Sequence, residues 1–163
     1  MPMDGVNDFS YKFSKYIFSK GVFYQNNLTN EIINEMSSMN QNFLMKDIIS
    51  NDWELSSETK YIGKFKCYKA TSICNTCTNN QIVTIWYTPE IPVSFGPARY
   101  GGAPGLILEV SKFRYTLRAN KIKFFKPKVN IIKPKKSKAI SKKELKILQK
   151  EARNAIMIGK GKN

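Results

Sequence analysis

A proline- and glycine-rich segment between two runs of strand-forming residues constrains the fold more than any other feature of the sequence. Residues 89–105 hold four of the seven prolines and four of the nine glycines, so this segment cannot form a helix or a central strand. Its apolar residues Ile91, Val93, Phe95 and Tyr100 are interleaved with the prolines and glycines. We therefore predict an ordered loop packed over a sheet, and we call it the Pro/Gly loop.

The residues on both sides of the Pro/Gly loop have strand patterns. Residues 81–88 give the strongest strand pattern, and residues 65–73 alternate between two faces. The turn-rich residues 74–80 between them complete a predicted β-hairpin. A strand or hairpin is predicted at 16–24. Further strands are predicted at 43–49, 106–110, 115–119 and 122–125. A short helix is predicted at 28–36, where Leu28, Ile32, Glu35 and Met36 share the helical spacing.

The C-terminal part of the sequence predicts a helix. Ser141 and Glu144 have the spacing of a capping box. A narrow apolar stripe follows at helical spacing, formed by Leu145, Leu148, Ala152, Ala155 and Ile156. Gly159 and Gly161 are expected to end the helix.

These patterns predict a mainly β protein of the α+β class. We expect a curved antiparallel sheet or half-barrel, closed on one side by the Pro/Gly loop, with the C-terminal helix packed against it or trailing. Residues 1–126 would form the β domain, and residues 127–163 a basic connector and the helix. No apolar run is long enough for a membrane-spanning helix.

The charge of the chain is concentrated at one end. The chain has 27 Lys and Arg residues and 12 Asp and Glu residues. Most of the basic residues lie in residues 112–163, where the only acids are Glu144 and Glu151. A basic tail on a neutral body attracts polyanions such as nucleic acid or anionic lipid headgroups. The alternative is a solvated lysine-rich surface, which the abundance of Lys, Asn and Ile throughout the chain supports.

The sequence around the Pro/Gly loop resembles the signature of a known family. Residues 85–97 read Ile-Trp-Tyr-Thr-Pro-Glu-Ile-Pro-Val-Ser-Phe-Gly-Pro, and residues 100–109 read Tyr-Gly-Gly-Ala-Pro-Gly-Leu-Ile-Leu-Glu. This pattern is similar to that of the GLPGLI family of Bacteroidetes, and the resemblance extends over about residues 43–125. Its motif positions here are Gly96, Pro97, Gly101, Gly102, Pro104, Gly105, Leu106 and Ile107, with Ala103 in place of the family's leucine.

The resemblance implies a periplasmic or cell-envelope protein with no established biochemical activity. Genes of the family often lie near TonB-dependent transporters, so an outer-membrane transporter is an implied partner. The first residues show no signal-peptide pattern, and we expect a truncated or signal-less version of the family.

The cysteines admit several interpretations. In an oxidising envelope, Cys74 and Cys77 would form a small disulfide in the hairpin loop, and free thiols are the alternative. A metal site at these two cysteines is a weaker alternative, since a structural zinc site needs four ligands and the chain has no histidine. A redox role is weaker still, because no βαβ context is predicted. Cys67 falls on an apolar strand face and is expected to be buried.

Four aromatic residues, Trp86, Tyr87, Phe95 and Tyr100, form the predicted ligand site. Trp86 and Tyr87 point to opposite faces of one strand, and one of them would line a pocket for an apolar or planar ligand beneath the Pro/Gly loop. Packing in the core is the alternative for all four.

Two charged residues of the loop are expected to form a clamp. Glu90 and Arg99 would pair across the Pro/Gly loop. The alternative for Glu90 is to approach Glu109 as an acid–base pair. The glycines lack both nucleotide-loop spacings, so a phosphate loop is not predicted.

Taken together, these features predict a non-enzymatic binding or carrier module of the cell envelope, with no cofactor and an unknown ligand, for which a small apolar molecule is one candidate. The absence of histidine excludes Ser–His and Cys–His catalysis. One alternative is an accessory or structural partner of an outer-membrane TonB-dependent transporter. The other is polyanion binding or contact with a membrane surface through the basic C-terminal tail.

Overall fold

The computed structural model describes residues 21–38, 40–49, 52–74, 81–113, 115–124, 131–134 and 137–160. This part of the chain forms two sheets of mainly antiparallel strands and one helix. The strands are β1 Val22–Asn26, β2 Glu31–Ser38, β3 Gln41–Ile48, β4 Glu54–Ile62, β5 Phe65–Ile73, β6 Ile82–Thr88, β7 Leu106–Lys112, β8 Tyr115–Arg118 and β9 Lys138–Ala139, and the helix is α1 Lys142–Lys160. The predicted mainly β class is confirmed, with the strands divided between two sheets.

The first sheet has four strands in the order β1-β2-β3-β9. Strands β1 to β3 are antiparallel, whereas β9 pairs parallel to β3 through Lys138 opposite Phe43. The helix predicted at 28–36 is wrong, because residues 31–38 form the inner strand β2. Pairing on both sides and burial of Ile32, Ile33 and Met36 outweigh a local helical spacing that is weakened by asparagine and serine.

The second sheet is a five-stranded antiparallel meander, β4-β5-β6-β7-β8. Its strands confirm the predictions at 65–73, 81–88, 106–110 and 115–119. The described residues 122–124 of the last predicted strand, 122–125, are irregular. The register shifts twice, in β4 between Leu55 and Thr59 and in β7 opposite Trp86 and Tyr87.

Both faces of the five-stranded sheet carry apolar clusters. One face packs beneath the Pro/Gly loop, and the buried cluster there consists of Ala70, Val83, Ile85, Tyr87, Ile107 and Val110 of the sheet and Ala103 of the loop. The other face has a smaller cluster of Ile62, Cys67 and Leu108, with Trp86 partly buried against it. We call the second side of the sheet the Trp86 face.

Helix α1 packs on the four-stranded sheet. Leu145 is buried with Met36, Phe43 and Ile140, and Leu148 packs against this cluster. The chain before β9 also contacts this sheet, since Lys133 pairs with Glu31 and the Ser137 hydroxyl donates to Glu35 at 2.7 Å. Lys133, Ser137, β9 and the first turns of α1 are therefore attached to this sheet. No helix in the described ranges has the length and apolar character needed to cross a membrane.

The start of α1 is fixed by the predicted capping box. The Glu144 N–H donates to the Ser141 hydroxyl at 3.1 Å, and the Ser141 N–H donates to the Glu144 carboxylate at 2.8 Å. These reciprocal hydrogen bonds lower the pKa of Glu144. The other end differs from the prediction, because the helix continues through Gly159 to Lys160.

Removal of the capping hydroxyl tests this start. In Ser141→Ala the Glu144 N–H loses its acceptor, and we expect a loss of about 1 kcal/mol in the free energy of unfolding. Urea denaturation followed by circular dichroism measures it. The matched variant Ser141→Asp keeps a capping oxygen and should remain close to wild type, so equal losses in both variants would contradict the capping role.

Candidate binding site

The Pro/Gly loop connects β6 to β7 and is ordered by its own backbone. Phe95 and Gly101 form an isolated antiparallel bridge. The Ile107 N–H donates to the Phe95 carbonyl at 2.9 Å, and the Gly102 N–H donates to the Ser94 carbonyl at 3.0 Å. The motif positions Gly101, Ala103 and Gly105 are buried. Their small size lets the loop lie close to the sheet, which Gly105 shows most directly: an added Cβ would meet the Thr88 carbonyl oxygen at 2.2 Å.

The loop also joins the two sheets. The Gln25 side chain on β1 donates to the carbonyls of Ala98 at 2.9 Å and of Tyr100 at 3.1 Å. The indole N–H of Trp53 donates to the Gly101 carbonyl at 2.8 Å. These hydrogen bonds occupy backbone carbonyls at the tip of the loop. Among the described residues, the loop therefore acts as a structural junction.

The predicted clamp between Glu90 and Arg99 is wrong. The Glu90 carboxylate accepts a hydrogen bond from the Lys66 backbone N–H at 2.8 Å. The Arg99 guanidinium pairs with Asp47 of the other sheet at 3.0 Å. The reason is position, because Glu90 enters the loop beside β5, whereas Arg99 lies at the tip beside β3.

The four aromatic residues of the predicted ligand site lie in different places. Tyr87 and Tyr100 belong to the cluster beneath the loop, where burial raises the pKa of both phenols. Phe95 is half-buried within the loop. Trp86 packs on the opposite side of the sheet. The four residues therefore do not line one pocket.

A β-bulge in β7 determines what surrounds Trp86. Trp86 pairs with Glu109, but the next residue of β6, Tyr87, pairs with Ile107, so β7 contains one extra residue. Ile107 packs beneath the loop, whereas Leu108 packs on the Trp86 face. Because a bulge re-aims the side chains beside it, Glu109 also reaches the Trp86 face, where its partners are found.

Glu109 is a buried carboxylate held by two cations. Its side chain is only 4% exposed, its Oε1 lies 2.7 Å from the Lys60 Nζ, and its Oε2 accepts from the Arg118 Nε. Burial alone would raise the pKa of Glu109, but the hydrogen bonds and charges of Lys60 and Arg118 outweigh it and lower the pKa. Glu109 is therefore ionised at neutral pH and fixes both cations on the sheet.

Trp86 lies in the same row of the sheet. The row runs from Lys69 through Trp86 and Glu109 to Arg118 on successive strands. The Lys60 Nζ lies 4.2 Å from the centre of the Trp86 ring, a cation–π distance. Arg118 is 60% exposed, and its terminal guanidinium nitrogens form no hydrogen bond with the residues that the structure describes. Arg118 is thus the group of this row that is best placed to bind a ligand.

An apolar cleft lies on the same side of the sheet. Its volume is about 80 Å³, and its lining includes Ile62, Phe65, Leu108 and Ile122. Ligand pockets usually have volumes of about 300–1,000 Å³, so the cleft is large enough only for a small apolar group. It does not have the size of a carrier cavity.

The cysteines and acids give no metal site in the described ranges, where no three such side chains come together. Cys67 is a free, buried thiol, and burial raises its pKa. Cys74 is disulfide-bonded. Its predicted partner Cys77 lies outside the described residues, so that pairing stays a prediction.

Sequence reasoning missed Lys60 and Arg118 as site residues. The available signal was Glu109 itself, because simple alternation along β7 would place this carboxylate beside Ile107 in the apolar cluster. A charge at a position that alternation assigns to the core indicates either a bulge or a buried ion pair. The structure contains both.

The two sheets make this a mainly β protein, and the charged row lies on the five-stranded one. The model of the family described as "Protein of unknown function (Porph_ging)", which is associated with Bacteroidetes, matches residues 74–109. This match spans residues 74–80, β6, the Pro/Gly loop and about half of β7.

One solved structure, described as "Structure of PNGF-II in C2 space group", is similar in fold. It aligns with a TM-score of 0.53 at 20% identity, over 76% of this chain and 23% of that chain. The present chain thus corresponds to about a quarter of the longer protein, and the likeness concerns the fold alone. No curated protein matches the chain.

Proposed function

We propose that this chain is a non-enzymatic binding module of the cell envelope, of the GLPGLI type. Two observations support the family resemblance, from which the location is inferred: the signature residues of the Pro/Gly loop, and the match of residues 74–109 to a Bacteroidetes-associated family. The proposed binding surface is the Trp86 face of the five-stranded sheet.

The observation that carries this proposal is the exposed guanidinium of Arg118, which lies in one row with Trp86 and is anchored by the buried Glu109 between them. An anchored guanidinium presents a fixed fork to a carboxylate or phosphate. The partly buried indole and the small adjacent cleft add apolar contact. A ligand with one acidic group beside an apolar surface, such as an acidic saccharide whose sugar ring packs on the indole, matches this combination of a cation, Trp86 and a small cleft.

The two bulges support a curved binding surface. A bulge increases local twist and bends the strand that contains it. The bulges in β4 and β7 flank the row of Lys69, Trp86 and Glu109. We infer that the sheet bends at this row into the predicted half-barrel, with the Pro/Gly loop closing its other side.

The state of Glu109 favours binding over catalysis. A general acid needs a raised pKa to hold its proton at neutral pH, whereas the pKa of Glu109 is lowered. Its two oxygens are occupied by Lys60 and Arg118. In this proposal Glu109 positions cations and transfers no proton.

The accessory-partner alternative, in which the loop contacts an outer-membrane transporter, has less support. Such a surface would need a contiguous exposed apolar patch. Within the Pro/Gly loop, Val93 is exposed at 37%, while Phe95 and Tyr100 are half-buried. The Trp86 face is therefore the better candidate surface.

Substitution of Arg118 tests the proposal. We expect wild-type protein to bind carboxylated glycans of an immobilised panel and not their neutral methyl esters. Arg118→Gln should weaken this binding about tenfold or more, because a charge-assisted hydrogen bond is lost. Calorimetric titration of the best glycan measures the change in Kd.

Arg99→Gln is the matched control, since Arg99 is also a partly exposed arginine paired with a carboxylate, at 3.0 Å from Asp47 in the loop junction. It should bind the glycan like wild type. The proposal is overturned if the wild type binds no carboxylated glycan, if the esters bind equally well, or if both substitutions weaken binding to the same extent.

A further inference from the structure

The outward side of helix α1 carries a stripe of lysines. Lys143, Lys146 and Lys150 are exposed, and their spacing of three and four residues places them on one side of the helix. Leu145 is buried against the four-stranded sheet. The apolar side of the helix is thus occupied by the protein's own core, and the lysine side faces solvent.

The acids of the helix do not neutralise this stripe. Glu144 and Glu151 lie about 120° around the helix from the lysines, and Glu144 is engaged in the capping box. None of the three lysines forms an ion pair with the residues that the structure describes. The stripe therefore presents three uncompensated positive charges over about 10 Å of helix.

The stripe is also fixed in place. The capping box holds the first turn, Leu145 and Leu148 pack on the sheet, and the Gln149 amide donates to the Ser38 hydroxyl at 3.4 Å. A row of cations on a fixed helix loses little backbone freedom when it meets a flat anionic surface. A flexible basic tail would lose more.

We propose that this stripe docks the protein peripherally on an anionic phospholipid surface, through the phosphates of the headgroups. Charge complementarity carries the inference. Ile147, 47% exposed on the same helix, adds apolar contact at the headgroup boundary. Lipid is favoured over single-stranded nucleic acid because the three lysines are accompanied by no exposed aromatic side chain in residues 143–150 that could stack on bases. This inference is independent of the Trp86 face.

The experiment is vesicle co-sedimentation of the full chain. The vesicles contain phosphatidylglycerol and phosphatidylcholine in equal parts, or phosphatidylcholine alone. We expect binding to the anionic vesicles only, weakening as salt is raised. The triple variant Lys143→Gln, Lys146→Gln and Lys150→Gln should bind about a hundredfold more weakly, because each lysine near such a surface contributes about fivefold.

The matched control removes three other exposed lysines, at Lys64, Lys66 and Lys123, and should bind vesicles like wild type. Circular dichroism confirms that the helix is retained in both triple variants. Equal weakening in both triple variants, or no binding of wild type to anionic vesicles, would overturn the inference.

Two cross-tests separate this inference from the glycan proposal. Arg118→Gln should leave vesicle binding intact, and the helix triple variant should leave glycan binding intact. A duplex DNA fragment serves as the competing polyanion. Tighter binding of DNA than of anionic vesicles, with the same dependence on the stripe, would replace the lipid surface by nucleic acid and so refute the inference.

Discussion

Replacement of Gly105 by alanine is expected to destabilise the fold by about 3 kcal/mol or more. Gly105 has φ +155°, and a Cβ there would lie 2.2 Å from the carbonyl oxygen of the buried Thr88 and 2.8 Å from the Pro89 nitrogen. Both neighbours are backbone atoms at the start of the Pro/Gly loop, so no side-chain rotation relieves the overlap. Urea denaturation measures the loss.

Gly63→Ala separates steric overlap from backbone conformation. Gly63 also has a positive φ, +59°, but no atom lies within 4 Å of an added Cβ. It should cost about 1 kcal/mol, the penalty of the left-handed conformation alone. If Gly105→Ala costs no more than Gly63→Ala, the close approach of the loop to Thr88 is incorrect.

Replacement of Glu109 by glutamine is expected to lower stability at neutral pH by about 2 kcal/mol. The amide keeps the shape of the side chain but loses the charge that holds Lys60 and Arg118. Glu58→Gln is the matched control, because Glu58 also pairs with a lysine, Lys69, but is 59% exposed. That pair should contribute little, and the urea midpoint should stay near wild type.

The lowered pKa of Glu109 also predicts how stability changes with pH. The folded-state pKa of Glu109 lies below its ordinary value of 4.5, because the bonds from Lys60 and Arg118 outweigh the opposing effect of burial. Its stabilisation is therefore present above that ordinary value and is lost as the pH falls through the folded-state pKa. On acidification wild type should lose stability faster than Glu109→Gln. Parallel pH profiles would show that Glu109 is not held ionised.

The strands that could be predicted from sequence are those in which the local residue pattern favours the same structure as the packing in the fold. Residues 81–88 and 106–110 combine β-branched and apolar residues with flanking turns, and both are strands. The capping box at Ser141 is equally local, and both of its hydrogen bonds are present. In these segments the neighbours that decide the structure lie within a few positions along the chain.

The predictions that failed depended on distant neighbours. Residues 28–36 have a weak helical spacing, but β1 and β3 recruit them into a sheet. Glu90 and Arg99 are close in sequence, yet each has its partner on a different strand. Lys60 and Arg118 reach Glu109 from opposite edges of the meander, a juxtaposition set by strand order and by a bulge.

The parallel pairing of β9 with β3 has a consequence for how the protein reaches its native state. Glu31 contacts Lys133, and Glu35 contacts Ser137. The two residues of each contact are 102 positions apart, and the entire five-stranded meander lies between them in the chain. Closing so long an interval is slow unless the intervening residues are already compact. The meander, whose strands pair with sequence neighbours, is therefore expected to assemble first. We expect the four-stranded sheet to gain β9 and the helix last, so the helix that carries the lysine stripe is held against the sheet only in molecules that have completed folding.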